Sequence, residues 1–167
     1  LSTTPHPGSP LKDSRSLQHV RCTGYRPFAT LGRRMSVSPP IDLSVVLPVL
    51  NERENVERLL PRTVEVLRTI GCRYELVVID GGSTDGTPDA AIAGGARVIR
   101  QTLPGYGGAL REGLATATGT YILTLDADLS HDPDFILKLW RSRARAEVVI
   151  ASRYVRGGVA HMPRHRH

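Results

Sequence analysis

Residues 43–70, LSVVLPVLNERENVERLLPRTVEVLRTI, pass from an unbroken apolar run to a spaced one, and that change decides the fold. LSVVLPV (43–49) is apolar and β-branched and reads as a buried strand. Asn51 then stands where it can cap a helix, with Glu54 three residues later closing a capping box. Val56, Leu59, Leu60, Val64, Leu67 and Ile70 follow near helical spacing, and Pro61 inside that pattern is expected to kink the helix. The rhythm repeats downstream. Strands are expected over ELVVID (75–80), ARVIR (96–100), residues 120–126 and EVVIAS (147–152), with helices after residue 80, from about Tyr106 and over PDFILKLWRSR. This β-α alternation predicts an α/β domain, a mostly parallel sheet with helices on both faces, whose ligands bind at the carboxyl ends of the strands.

Each suggestive loop falls at such an end: PVLNE, DGGSTDGT, QTLPGYGG, DADLSH and SRYVRGG. Singly they are weak. DGGSTDGT reads as a tight turn whose Asp and Ser cap the next helix, and PGYGGAL would bind a phosphate only if its amides faced one. Five loops on one edge carry more weight than any of them alone.

TLDADLSHDP (124–133) sets two carboxylates one residue apart at the end of a buried strand. In a strand, residues i and i+2 share a face, so Asp126 and Asp128 point the same way. At about 6 Å and an effective dielectric of ~20 they repel by roughly 3 kcal/mol. A positive partner, or a raised pKa, has to answer that repulsion.

At 167 residues, 40% hydrophobic and 23% charged, the composition suits one soluble globular domain with a real core. No apolar run approaches the ~18 residues of a membrane helix. The net charge of +6 is unevenly placed. Residues 1–40 hold six Lys/Arg and one Asp, residues 41–152 twelve Lys/Arg and fifteen acids, and residues 153–167 four Arg and no acid. The body is mildly acidic, which argues against a nucleic-acid partner. Cys22 and Cys72 lie far apart with no disulfide framework or zinc spacing, as in a reducing compartment. Residues 1–40, rich in Ser, Thr, Pro and Arg, are expected to be disordered, either a transit peptide or an extension upstream of a true start near Met35.

The segments VVLPVLNERENVERLL, YELVVIDGGSTDGT, GYGGALREGLATATGTYILTLDADLSHDPDFI and IASRYVRGG, in this order and spacing, resemble the nucleotide-sugar-binding half of family 2 glycosyltransferases. The likeness is strongest to the dolichyl-phosphate or polyprenyl-phosphate mannosyltransferase group, through NEREN, DADLSH and SRY. It implies the GT-A fold over residues 41–160. It also implies transfer of mannose from GDP-mannose to a polyprenyl or dolichyl phosphate, with inversion, at the cytoplasmic face of a membrane or in the cytoplasm, with peripheral membrane contact. The resemblance makes Asp126 and Asp128 the metal and diphosphate ligands, with Ala127 between them and Mg²⁺ or Mn²⁺ as the cation. A cation there would also relieve the repulsion of the pair.

Pro48, Leu50 and Glu52 match the family segment that holds base and ribose, although an aromatic residue is common where Leu50 stands. Ile79 matches a backbone or packing contact to the nucleoside. The paired aspartates usual at that turn are reduced to Asp80 followed by Gly81, which puts guanine recognition in question. Arg153 matches an arginine that meets the donor's phosphates. Ser130 stands where some relatives carry Gln, and His131 reads as a loop residue rather than a base. After residue 160 the family's acceptor elements do not follow, and residues 161–167 read as a truncated tail. The alternatives are therefore a nucleotide-sugar-binding remnant without efficient transfer, and a haloacid-dehalogenase-like phosphohydrolase. The latter needs a later Lys and acidic pair, and Lys138 is the sole lysine after Asp128.

Overall fold

The computed structural model describes His19–Val20 and residues 40–152. In chain order the elements are β1 (His19–Val20), β2 (Leu43–Val49), α1 (Arg53–Ile70), β3 (Tyr74–Asp80), α2 (Thr87–Ala93), β4 (Arg97–Arg100), α3 (Gly105–Thr116), β5 (Tyr121–Thr124), α4 (Phe135–Ser142) and β6 (Val148–Val149). Four strands form a parallel sheet in the order β4-β3-β2-β5. The α/β expectation holds, and the strands fall where the apolar runs placed them. Of the segment 1–40, only His19–Val20 and Pro40 are described, and residues 161–167 lie outside the described residues.

The strand order reverses at β2. The chain moves from β2 out through β3 to β4, then crosses back to set β5 on the other side of β2. The loops after β2 and β5 leave neighbouring carboxyl ends at this reversal, where ligand crevices of open α/β sheets lie, with α1 and α4 on one face of the sheet and α3 on the other. Side chains alternate across β2. Val45, Leu47 and Val49 pack with Val56, Leu59, Leu60 and Leu67 of α1, Ala91 of α2 and Ile136 of α4. Val46 turns to the opposite face with Val77, Ile79 and Ala109 of α3. Both faces are covered, which is why β2 is apolar at nearly every position rather than at every second one. Gly113 allows α3 to lie this close, because a Cβ there would collide with Val46 Cγ1.

Two local expectations change. Asn51 does not cap α1. Glu52 occupies the cap position, with no side-chain cap bond, and Asn51 sits in the left-handed region at φ 54°. Pro61 stands inside α1, which continues to Ile70. It lies on the exposed face, where the carbonyl it leaves unbonded can be hydrated, and buried residues on either side, Leu60 and Thr63, anchor both halves. EVVIAS contributes only Val148–Val149, paired antiparallel with β1 rather than joined to the parallel sheet. Antiparallel pairing of so short a run needs no crossover connection.

The amino-terminal edge of the sheet is held by Glu75. Its Oε1 accepts hydrogen bonds from Ser44 Oγ (2.6 Å), Thr118 N (2.7 Å) and Thr118 Oγ1 (2.8 Å), and its Oε2 accepts one from Arg97 (3.0 Å). Burial pushes this carboxyl up, but the hydrogen bonds from Ser44, Thr118 and Arg97 outweigh it and hold the pKa at about 2, below the ordinary 4.5. A carboxyl lowered in the folded state stabilises the fold above its unfolded pKa, and that contribution disappears as pH falls from about 4.5 to about 2. Glu75→Gln should therefore lower the melting temperature at pH 7. The gap to the native chain should narrow through that acid window in a series of thermal melts.

Candidate active site

The carboxyl ends of β2, β3, β4 and β5 enclose a cleft of about 500 Å³. Its walls include Pro48, Leu50 and Glu52 from the end of β2, Gly81 after β3, Gln101–Tyr106 after β4, and Asp126, Ala127 and Asp128 after β5. Seven of the ten residues singled out from sequence thus meet in one cavity. Ile79 and Asp80 do not line it. Ile79 is fully buried under α3, and Asp80 is buried with its carboxylate turned to its own loop, accepting hydrogen bonds from Gly82 N (3.1 Å) and Ser83 N (3.1 Å). Arg153 lies outside the described residues.

Asp126 and Asp128 fall just beyond β5, which ends at Thr124. The extended alternation nevertheless persists. Leu125 and Ala127 are buried, while Asp126 and Asp128 are exposed toward the cleft. The two carboxylates share a face as expected, but solvent reaches both, so water screens part of their repulsion. Asp128 Oδ1 accepts a hydrogen bond from Ser130 N (2.9 Å), which tightens the turn through Leu129, a non-glycine residue at φ 58°. Backbone strain of this kind is characteristic of loops that hold a functional group in place. Ser130 Oγ is engaged with His131 Nδ1 at 2.9 Å, and the His131 ring meets the edge of Phe135.

The β2 and β3 loops brace each other. Amide groups at the start of α1 have no intrahelical acceptor, and side chains of DGGSTDGT accept from them. Asn51 N donates to Ser83 Oγ (2.8 Å), Glu52 N to Thr87 Oγ1 (2.9 Å) and Arg53 N to Asp85 Oδ2 (3.1 Å). Thr84 N returns a bond to Asn51 Oδ1 (2.9 Å). The motif therefore serves two helices: Asp85 Oδ1 accepts from Thr87 N (2.9 Å) at the start of its own helix α2, while Ser83, Asp85 Oδ2 and Thr87 take the amides before and at the start of α1. Hydrogen bonding from Thr87 leads the causes that hold the Asp85 carboxyl below its usual range. Glu52 is steadied in turn by Asn55, whose Nδ2 donates to Glu52 Oε2 at 2.5 Å.

Sequence reasoning marked the QTLPGYGG loop for its backbone amides but assigned no role to the Tyr106 side chain. Tyr106 Oη donates to Asp126 Oδ1 at 2.7 Å. Burial, the bond to Asp126 and the charges of Asp126 and Asp128 push its phenol up to about 12, so the hydroxyl keeps its proton and donates a hydrogen bond at neutral pH. The available signal was an aromatic residue straight after Pro-Gly at a strand-to-helix loop, a pattern too common to single out without the contact.

Among the described residues no cluster of three His, Cys, Asp or Glu side chains could hold a metal ion. Two neighbouring carboxylates on an open cleft still fit Mg²⁺ or Mn²⁺, since such ions are commonly held by one or two carboxylates with phosphate oxygens and water completing the shell. This donor set suits a cation that arrives with a diphosphate.

Residues 44–167 match the model of glycosyl transferase family 2, and the chain belongs to that family. It is 38% identical over 122 residues to a dolichol-phosphate mannosyltransferase of Pyrococcus furiosus, a match covering 70% of this chain and 34% of the relative. It is 39% identical over 113 residues to an undecaprenyl-phosphate 4-deoxy-4-formamido-L-arabinose transferase of Klebsiella pneumoniae, covering 63% and 35%. The chain thus spans about a third of the length of these curated relatives. Among solved structures it is similar to glucosyl-3-phosphoglycerate synthase of Mycobacterium tuberculosis, in complex with Mn²⁺, uridine diphosphate and glucosyl-3-phosphoglycerate. That match has a TM-score of 0.54 and 30% identity, and covers 72% of this chain and 49% of that one. The same enzyme with Mg²⁺ and uridine diphosphate matches with a TM-score of 0.54 and 33% identity, covering 64% and 41%. The fold is of the GT-A type, and the family match removes the phosphohydrolase alternative.

Thr87→Val tests the brace between the loops. It preserves the shape of a fully buried side chain and removes the acceptor for Glu52 N and the donor to Asp85. The expected loss is roughly 1–3 kcal/mol of stability in denaturant unfolding.

Proposed function

We propose that the cleft holds a nucleotide sugar with its diphosphate against Asp126 and Asp128, and that the protein transfers the sugar to a polyprenyl or dolichyl phosphate. The observation that carries this reading is the convergence of the paired carboxylates with Leu50, Glu52 and Gly81 on one cleft at the strand-order reversal. Leu50 is 57% exposed, an apolar surface at the cleft that a nucleobase would cover. Gly81 lets the β3 loop pack closely against Val49 O, Leu50 and Gln101, and Glu52, held by Asn55, offers an acceptor to ribose hydroxyls. The named activities of the Pyrococcus and Klebsiella relatives support the lipid phosphate acceptor. Mannose from GDP-mannose is the donor the mannosyltransferase likeness favours, while the structures with uridine diphosphate make a uridine donor the competitor to test.

A lipid monophosphate supplies an oxygen already ionised near neutral pH, so attack on the anomeric carbon with inversion requires no strong general base from the chain. The chain's part is to bind the donor, hold the diphosphate beside the two carboxylates and keep the sugar oriented for in-line approach. When bound, a divalent cation supplies positive charge that offsets the negative charge developing on the leaving nucleoside diphosphate. Arg153 is the chain's own candidate for the same phosphates. No helix among the described residues is long and apolar enough to cross a membrane, and the proposed encounter with the acceptor's phosphate is peripheral, at the cytoplasmic face.

Calorimetry with GDP and UDP, each with and without Mn²⁺, tests the donor site. Mn²⁺ should tighten binding of one of them at least tenfold, and Asp128→Asn should abolish that dependence. Equal affinity with and without the metal would overturn the assignment of the carboxylate pair. Incubation with labelled GDP-mannose or UDP-glucose and polyprenyl phosphate in detergent tests transfer. Label in the lipid phase is the expected result, and release of sugar to water alone would contradict the acceptor.

A further inference from the structure

Tyr106 is 58% exposed, so its ring adds little to the core, yet its hydroxyl makes a 2.7 Å hydrogen bond to Asp126. The loop that presents it is braced by Glu112 of α3 and by Gln101 at the end of β4. Glu112, two turns along α3, accepts from Thr102 N (2.9 Å), Thr102 Oγ1 and Leu103 N (2.6 Å). Gln101 Nε2 donates to Gly105 O (2.8 Å) and to Leu103 O. Gly108 lets the loop pack onto the helix, since a Cβ there would collide with Leu103 O. Gly105, at φ 74°, turns the chain into α3 immediately before Tyr106. The phenol therefore projects from a backbone whose position is set by Glu112, Gln101 and Gly108, none of which touches Asp126.

We infer that the Tyr106 hydroxyl is a positioning group for the cation site: it holds Asp126 in one rotamer by engaging Oδ1, and so presents Oδ2 to a divalent cation. The inference rests on the proposed reading of Asp126 as a cation ligand. An exposed aspartate otherwise samples several rotamers, and fixing one before the cation arrives removes that entropic cost from binding. It also makes single-oxygen coordination by Asp126 the expected mode, with the cation's remaining positions left to Asp128, diphosphate oxygens and water. Asp128 takes a different contact, accepting from the backbone amide of Ser130.

Tyr106→Phe removes the hydroxyl and keeps the ring. Mn²⁺ would be titrated into the native chain and the variant, each saturated with UDP or GDP, with unbound Mn²⁺ followed by electron paramagnetic resonance. The variant should need roughly two- to tenfold more Mn²⁺ for half-saturation, the cost of immobilising one side chain on binding. Its metal-free nucleotide affinity and melting temperature should be unchanged. An unchanged Mn²⁺ requirement would overturn the positioning role. An equal loss of metal-free nucleotide affinity would also overturn it, by showing that the hydroxyl serves the nucleotide or the loop instead. Failure of the native chain to bind Mn²⁺ with either nucleotide would overturn the cation-site reading itself, an outcome distinct from the other two.

Discussion

Everything at the cleft depends on β2 being paired on both edges. Val46 lies opposite Val77 of β3 on one side and Thr124 of β5 on the other, in parallel registers. Parallel pairing sends all four strands out of the sheet at one end, and the reversal of strand order sets β5 directly beside β2. The loop after β2 and the loop after β5 thus line the same cleft. Leu50 and Glu52 stand on one side of it, Asp126 and Asp128 on the other.

The cleft is stiffened by two braces that do not use the residues proposed to meet a donor's phosphates. Ser83, Asp85 and Thr87 accept the amides of residues 51–53, which fixes the β2 wall to the β3 loop. Glu112 accepts the amides of Thr102 and Leu103, which fixes the β4 loop to α3. Carboxylates and hydroxyls are well suited to both tasks, because loop amides near a ligand cleft lack sheet or helix partners and an unpaired amide is costly when partly buried. The paired aspartates are left exposed between these braces, where Asp126 accepts from Tyr106 and Asp128 from the amide of Ser130.

The α/β fold was legible because both faces of β2 and β3 are buried, so their sequences are apolar end to end, and because α1 carries a clear helical period. The carboxylate pair was legible because its spacing survives beyond the strand end. What the local pattern misplaced depends on partners distant in sequence. Asn51 has the side chain of a helix cap, but Ser83, Asp85 and Thr87 take over that function from more than 30 residues away, and Asn51 accepts from Thr84 instead. Asp80 and Ile79 lie in the motif matched to donor contacts, yet the strand's alternation turns Ile79 under α3 and the tight turn claims the Asp80 carboxylate. Tyr106 could not be read from its neighbours, since its partner lies 20 residues on, across the cleft.

The central claim is that one cation and one nucleoside diphosphate share the cleft at Asp126 and Asp128. Crystals grown with Mn²⁺ and GDP, or with Mn²⁺ and UDP, and measured at the manganese absorption edge, test it directly. The account predicts a single anomalous peak within coordinating distance of both carboxylates, with diphosphate density against it and the base over Leu50. A peak elsewhere, or nucleotide bound in this cleft with no peak beside the two aspartates, would contradict it.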